Sequence, residues 1–160
     1  MAYVGNVVPA VPDLSGLPVL KYLTLTVDMI VSLSGTLVGE AIPRWQWVID
    51  TLRTSSQPST IQDIYIFVHT NSPKQPHIYD WRALDEVFST LSNSSWLSLE
   101  VVDVSICAEF DFHRGYLGTE FFDQFLPGEM ANLLRRGINL RGRYSPRSFH
   151  GQLARRRFHL

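Results

Sequence analysis

Apolar residues recur along this chain with one repeated spacing. They fall three, two and two positions apart at Leu20, Leu23, Leu25 and Val27, and the same steps return at Ile61, Ile64, Ile66 and Val68. A third copy reads Leu99, Val102, Val104 and Ile106. Alternation of apolar and polar positions within each copy predicts a β-strand with one face turned inward, near residues 20–27, 61–68 and 99–106. The copies begin at 20, 61 and 99, in steps of 41 and 38, which marks an internal repeat.

Between the strand patterns the period changes to that of a helix. Trp45, Val48, Ile49 and Leu52 form one apolar stripe, predicting a helix over 44–54 with Pro43 at its start, where a missing N–H costs nothing. Asp80 is an N-cap for a second helix over 81–91, whose inward residues are Trp81, Leu84, Phe88 and Leu91. Trp81, Leu84 and Phe88 superpose on Trp45, Val48 and Leu52, so the repeat includes the helices. This reading sets Trp47 on the outer side of its helix and Asp85 and Glu86 on a solvent face. A third helical region, 119–136, is broken at Pro127 and Gly128, with Phe121, Phe122 and Phe125 on one edge and Met130, Leu133 and Leu134 inward. Gly137 suits the left-handed residue that closes a helix, and Ile138 and Leu140 suit a short fourth strand. Residues 1–18 read as an extended lead-in, 19–140 as the repeat domain, and 141–160 as a loosely ordered basic tail.

Strands alternating with helices at these spacings give parallel pairing through crossover connections. The expected fold is α/β: a short leucine-rich-repeat-like solenoid with helices on one face only. The alternative is an ordinary two-layer α/β domain.

Composition narrows the setting. A hydrophobic content of 45% with 18% charged residues describes a folded chain with a core. Cys107 stands alone, so no internal disulfide forms, which favours a reducing compartment, cytoplasmic or nuclear. The first twelve residues lack the basic start of a secretion signal, and no apolar run reaches the length of a membrane span. The near-neutral total of −1 hides an asymmetry: every acidic residue precedes Leu134, whereas Arg135–Leu160 carries only positive charge.

Aligning the three strands on their apolar skeletons predicts outward rows: Thr24, Tyr65 and Asp103; then Thr26, Phe67 and Ser105; then Asp28, His69 and Cys107. Tyr65 and Phe67 on an uncovered sheet face are candidate anchors for a protein partner, because exposed aromatic pairs carry much of the energy of interfaces. The last row has the makings of a thiol nucleophile: a cysteine beside a histidine that a carboxylate orients. No cysteine-hydrolase signature surrounds Cys107, and three polar residues after three strands arise easily by chance, so a small hydrolase is the alternative reading. Glu109, Asp111 and His113 alternate and would share one side of an extended segment, but a solvated loop explains them equally. No cysteine–histidine spacing suggests zinc and no glycine pattern suggests a phosphate loop, so neither metal nor cofactor is expected. Arg143, Arg147, Arg155, Arg156 and Arg157 make the tail a weak candidate for phosphate contact with nucleic acid.

Several segments together resemble a known family. They are Leu17–Leu25 (Leu-Pro-x-Leu-Lys-x-Leu-Thr-Leu), Ile42–Trp45 (Ile-Pro-x-Trp), Asp80–Phe88 (Asp-Trp-x-x-Leu-Asp-x-Val-Phe), the strand Leu99–Ile106, and Leu133–Ile138. In this order and spacing the chain resembles the C-terminal leucine-rich-repeat-like half of the F-box-like proteins of mushroom-forming fungi, over about Leu17–Leu140. The resemblance implies a non-enzymatic domain that binds a protein and presents it to a ubiquitin-ligase scaffold. Nothing before Leu17 leaves room for the helical F-box, so the chain reads as a fragment, a truncated paralogue or a short gene model, and the adaptor role requires an F-box supplied elsewhere.

Overall fold

The computed structural model describes residues 2–4, 10–17, 19–29, 37–55, 59–70, 79–90, 96–108 and 121–146. In chain order these form β1 (Ala2–Val4), β2 (Tyr22–Met29), α1 (Leu37–Arg53), β3 (Asp63–Thr70), α2 (Trp81–Thr90) and β4 (Val101–Ala108). A π-helical turn (Phe121–Phe125), α3 (Leu126–Glu129), α4 (Ala131–Arg135) and β5 (Asn139–Pro146) follow. The five strands make one sheet in the order β1-β2-β3-β4-β5, every pair parallel. The fold is therefore α/β with a parallel sheet whose strands are laid down in sequence order. Strands β2 to β5 start at 22, 63, 101 and 139, so the repeat of the sequence is also a repeat of the backbone.

Each strand begins two residues later than its apolar pattern. Leu20, Ile61 and Leu99 lie just before the strands; Leu20 and Leu99 donate backbone hydrogen bonds back to Leu17 and Trp96 at 3.2 Å. Their side chains join the core, which is why periodicity alone counts them as strand. A chain of entrance hydrogen bonds then fixes the register: Gln62 N–H to Lys21 C=O, Glu100 N–H to Gln62 C=O, and Asn139 N–H to Glu100 C=O, each at 2.8 Å.

One face of the sheet is apolar and covered. Leu25, Val27, Ile64, Ile66, Val68, Val102, Val104 and Ile106 have no solvent exposure. They form one cluster with Trp45, Val48 and Leu52 of α1, Trp81, Leu84 and Phe88 of α2, and Leu126, Met130 and Leu133 of the last helical region. The two helical repeats meet through aromatic rings: Trp45 stacks on Tyr79 at 5.0 Å and meets Trp81 edge-on at 4.5 Å, and its indole N–H donates to the Asp80 carbonyl at 3.1 Å. Phe121 continues the cluster, edge-on to Trp81 at 6.1 Å.

Several sequence expectations are corrected here. Helix α1 starts at Leu37, not 44, so Pro43 lies inside it and costs the helix one backbone hydrogen bond. Trp47 is buried rather than outward, because the lead-in crosses the helix. The Trp47 indole N–H donates to the Ala10 carbonyl at 3.3 Å, and Thr54 Oγ1 donates to Pro12 C=O and accepts from Leu14 N–H. Asp85 is buried too. It reaches 48 residues along the chain to accept from the backbone N–H groups of Asn132 (3.0 Å) and Leu133 (2.8 Å), the unpaired donors at the start of α4.

The lead-in is partly sheet, since Ala2–Val4 pairs with Leu25–Val27, and β2 is thus not an edge strand. The first six residues assigned to a loosely ordered tail, 141–146, belong to β5; residues 147–160 lie outside the described residues. Alpha-helix α4 closes as the sequence predicts. Gly137 takes φ +78°, and N–H groups of Gly137 and Ile138 return to the carbonyls of Leu134 and Leu133. Among the described residues no helix is long and apolar enough to cross a membrane.

Candidate interaction face

Side chains alternate along a strand, so the residues between the buried ones emerge on the opposite face. The register sets them in rows across the sheet. Thr24, Tyr65, Asp103 and Arg141 form one row; Thr26, Phe67, Ser105 and Arg143 form the next. Asp28, His69, Cys107 and Ser145 are the backbone partners of the last row, within the strands rather than after them; the side chains of Asp28 and Ser145 lie outside those described. Each of the three predicted rows thus gains a member from β5. A preceding row, Tyr22, Asp63, Val101 and Asn139, stands at the strand entrances.

The chemistry of this face changes from one edge to the other. Thr24 and Thr26 on β2 are small and polar, Thr24 half-buried and Thr26 buried rather than open. On β3, Tyr65 and Phe67 stand two residues apart, both half-buried. Tyr65 donates its hydroxyl to Asp63 Oδ2 at 3.2 Å, and its phenol is held above the ordinary range by partial burial and by the neighbouring Asp63 and Asp103 carboxylates, with Arg141 opposing. On β4, Asp103 and Ser105 are buried among their neighbours. Asp103 Oδ2 faces Arg143 Nη2 at 3.5 Å, whereas its Oδ1 is buried without a hydrogen-bond partner among the described residues. On β5, Arg141 and Arg143 are exposed.

The row considered for thiol chemistry is in register across three strands. His69 lies beside Cys107 in the register, with Asp28 on the other side of His69. Burial pushes the Cys107 thiol up from its ordinary value; a hydrogen bond from Ser105 and the Arg143 charge pull the other way but are outweighed. A nucleophilic cysteine needs the reverse.

The alternating Glu109, Asp111 and His113, and the tail arginines Arg147, Arg155, Arg156 and Arg157, lie outside the described residues. Among the described residues no three histidine, cysteine or acidic side chains cluster as metal ligands.

Asp63 and Arg141 complete the face and were not among the residues singled out from sequence. Asp63 precedes Ile64 in the alternation, so the pattern contained it. Arg141 was hidden because its strand lacks the apolar skeleton: Gly142 stands where β4 has Val104. A side chain there has no room, since a Cβ on Gly142 would come within 2.2 Å of the Phe122 ring. No protein-family model, curated protein or solved structure matches this chain.

Proposed function

We propose that the outward sheet face is a non-enzymatic protein-binding surface of a short leucine-rich-repeat-like solenoid. The observation that carries this reading is the pair Tyr65 and Phe67, set side by side in register between the threonines of β2 and the charged residues of β4 and β5. Helices cover the other face, so a rigid, apolar core holds this row of aromatic and charged groups in place. Aromatic anchors ringed by polar groups favour partner binding, since they bury large area at low conformational cost. The resemblance to the target-binding half of F-box-like proteins agrees with such a role. Delivery of the partner to a ubiquitin ligase would follow where an F-box accompanies this domain, and the lone cysteine fits a cytoplasmic or nuclear setting.

A photo-reactive phenylalanine analogue placed at Tyr65 or Phe67 should cross-link to a discrete partner in cells of the source organism. The same analogue at Gln46, exposed on α1, should not. Equal cross-linking at the two faces, or none at the sheet face, would defeat this reading.

A further inference from the structure

Strand β5 is the last in the ladder. It bonds to β4 along its whole length, Val101↔Asn139 to Ala108↔Pro146, and among the described residues no strand pairs with its far side. Such an edge carries a row of backbone donors and acceptors able to take another strand. Edges are commonly blunted by bulges, by shortness, by an internal proline or by charged side chains, of which this one carries two of a single sign, Arg141 and Arg143. Here the register is unbroken for eight residues, and Pro146 comes only at the end.

Three side chains decide what can join it. Arg141 and Arg143 are both exposed, two residues apart, and emerge on the outward face. A second copy of β5 laid against the first would set arginine against arginine, and like charges directly opposite destabilise a strand pair. The same charges attract an acidic strand. On the inward face, between the two arginines, Gly142 leaves the backbone bare, and the half-buried ring of Phe122 lies against it. A side chain placed opposite Gly142, ~4.8 Å away, would fall beside that ring.

We infer that the edge of β5 away from β4, unpaired among the described residues, binds an extended segment of another protein by strand addition. The segment reads acid–apolar–acid, with its carboxylates beside Arg141 and Arg143 and its apolar residue beside Gly142 and Phe122. This site is distinct from the Tyr65–Phe67 face and does not depend on it.

Fluorescence polarisation of a labelled eight-residue peptide tests the inference. The peptide alternates Thr and Val, with Glu at two successive outward positions. Controls are the same peptide with Gln for Glu, and the Glu peptide N-methylated on the amides of one edge, with both edges tried in turn. At low salt the Glu peptide should bind about tenfold tighter than the Gln peptide, as two exposed ion pairs warrant. Arg141→Glu, which leaves the Asp103–Arg143 pair in place, should remove that preference. Methylation of the pairing edge should abolish binding, whereas Tyr65→Ala with Phe67→Ala should leave it unchanged.

Equal binding of the Glu and Gln peptides would overturn the inference. So would undiminished binding of both methylated peptides, which would show charge adhesion without strand pairing. Loss of binding only in the Tyr65→Ala, Phe67→Ala variant would move the site to the sheet face. A concentration-dependent dimer by analytical ultracentrifugation, abolished by Leu140→Pro, whose N–H alternates to the side away from β4, would assign the edge to a second copy instead. Failure of the cross-linking at Tyr65 and Phe67 leaves the peptide result standing, so the two readings fail separately.

Discussion

The two faces of strand β3 are built from alternate residues of one eight-residue segment, and they solve different problems. Ile64, Ile66 and Val68 have no exposure, whereas Asp63, Tyr65, Phe67 and His69 are each partly open. Inward, each side chain is fixed by the volume left between the sheet and the helices of α1 and α2, so shape decides the residue. Outward, each neighbour is a side chain on the next strand, so charge and hydrogen bonding decide it. The comparison teaches that stability and recognition can be assigned to opposite parities of the same strand. Changes of one parity should unfold the protein, and changes of the other should leave it folded and alter what it binds.

The largest test of that division is Ile66→Ala. It removes a fully buried side chain at the centre of the covered face and should cost about 2–5 kcal/mol in urea unfolding. Phe67→Ala, one residue along, should cost less than half as much. Equal losses would mean that the outward face is also core.

Asp85→Ala comes next and probes a polar group recruited to the covered side. It leaves two N–H donors at the start of α4 without their carboxylate, and about 1–3 kcal/mol should be lost. Asp85→Asn should recover part of this, because the amide oxygen can still accept one bond. No loss in either variant would show that α4 is held by packing alone.

Tyr65→Phe removes only the hydroxyl bonded to Asp63 at 3.2 Å, on the open face. Stability should change by less than about 1 kcal/mol, as suits a partly solvated bond. Partner cross-linking from Phe67 should still respond. A large stability loss would reclassify Tyr65 as structural.

The smallest effect sharpens the comparison at its chemical end. With its thiol pushed up by burial, Cys107 holds less thiolate at neutral pH than a free cysteine does, and its alkylation should be slower. The rate should rise as pH approaches the raised value, and Arg143→Gln should slow it further, since that cation favours the thiolate. Alkylation faster than free cysteine and dependent on His69 would favour the hydrolase reading.

The inward rows, the helix stripes and the pairing of Tyr65 with Asp103 were legible in the sequence because each follows from local periodicity; Leu134, expected inward, is the exception and is exposed. An alternation of two or of 3.6 is visible within ten residues, and three copies at similar spacing align the rows without reference to anything distant. The Gly137 closure and the Asp80 cap belong to the same class, because the groups they satisfy lie within a few residues.

What the tertiary structure decided involves partners far along the chain. Trp47 is buried because Ala10 and its neighbours cross α1, 37 residues from it. Asp85 is buried because α4 presents bare N–H groups 47 and 48 residues later. Strand β5 is sheet through its pairing with β4 although Gly142 breaks its apolar pattern, and there the Phe122 ring takes the volume a side chain would need. A local period records which way a side chain points relative to its own backbone. Only the folded chain determines what stands in front of it, and therefore whether a tryptophan, an aspartate or a glycine belongs to the surface or to the interior.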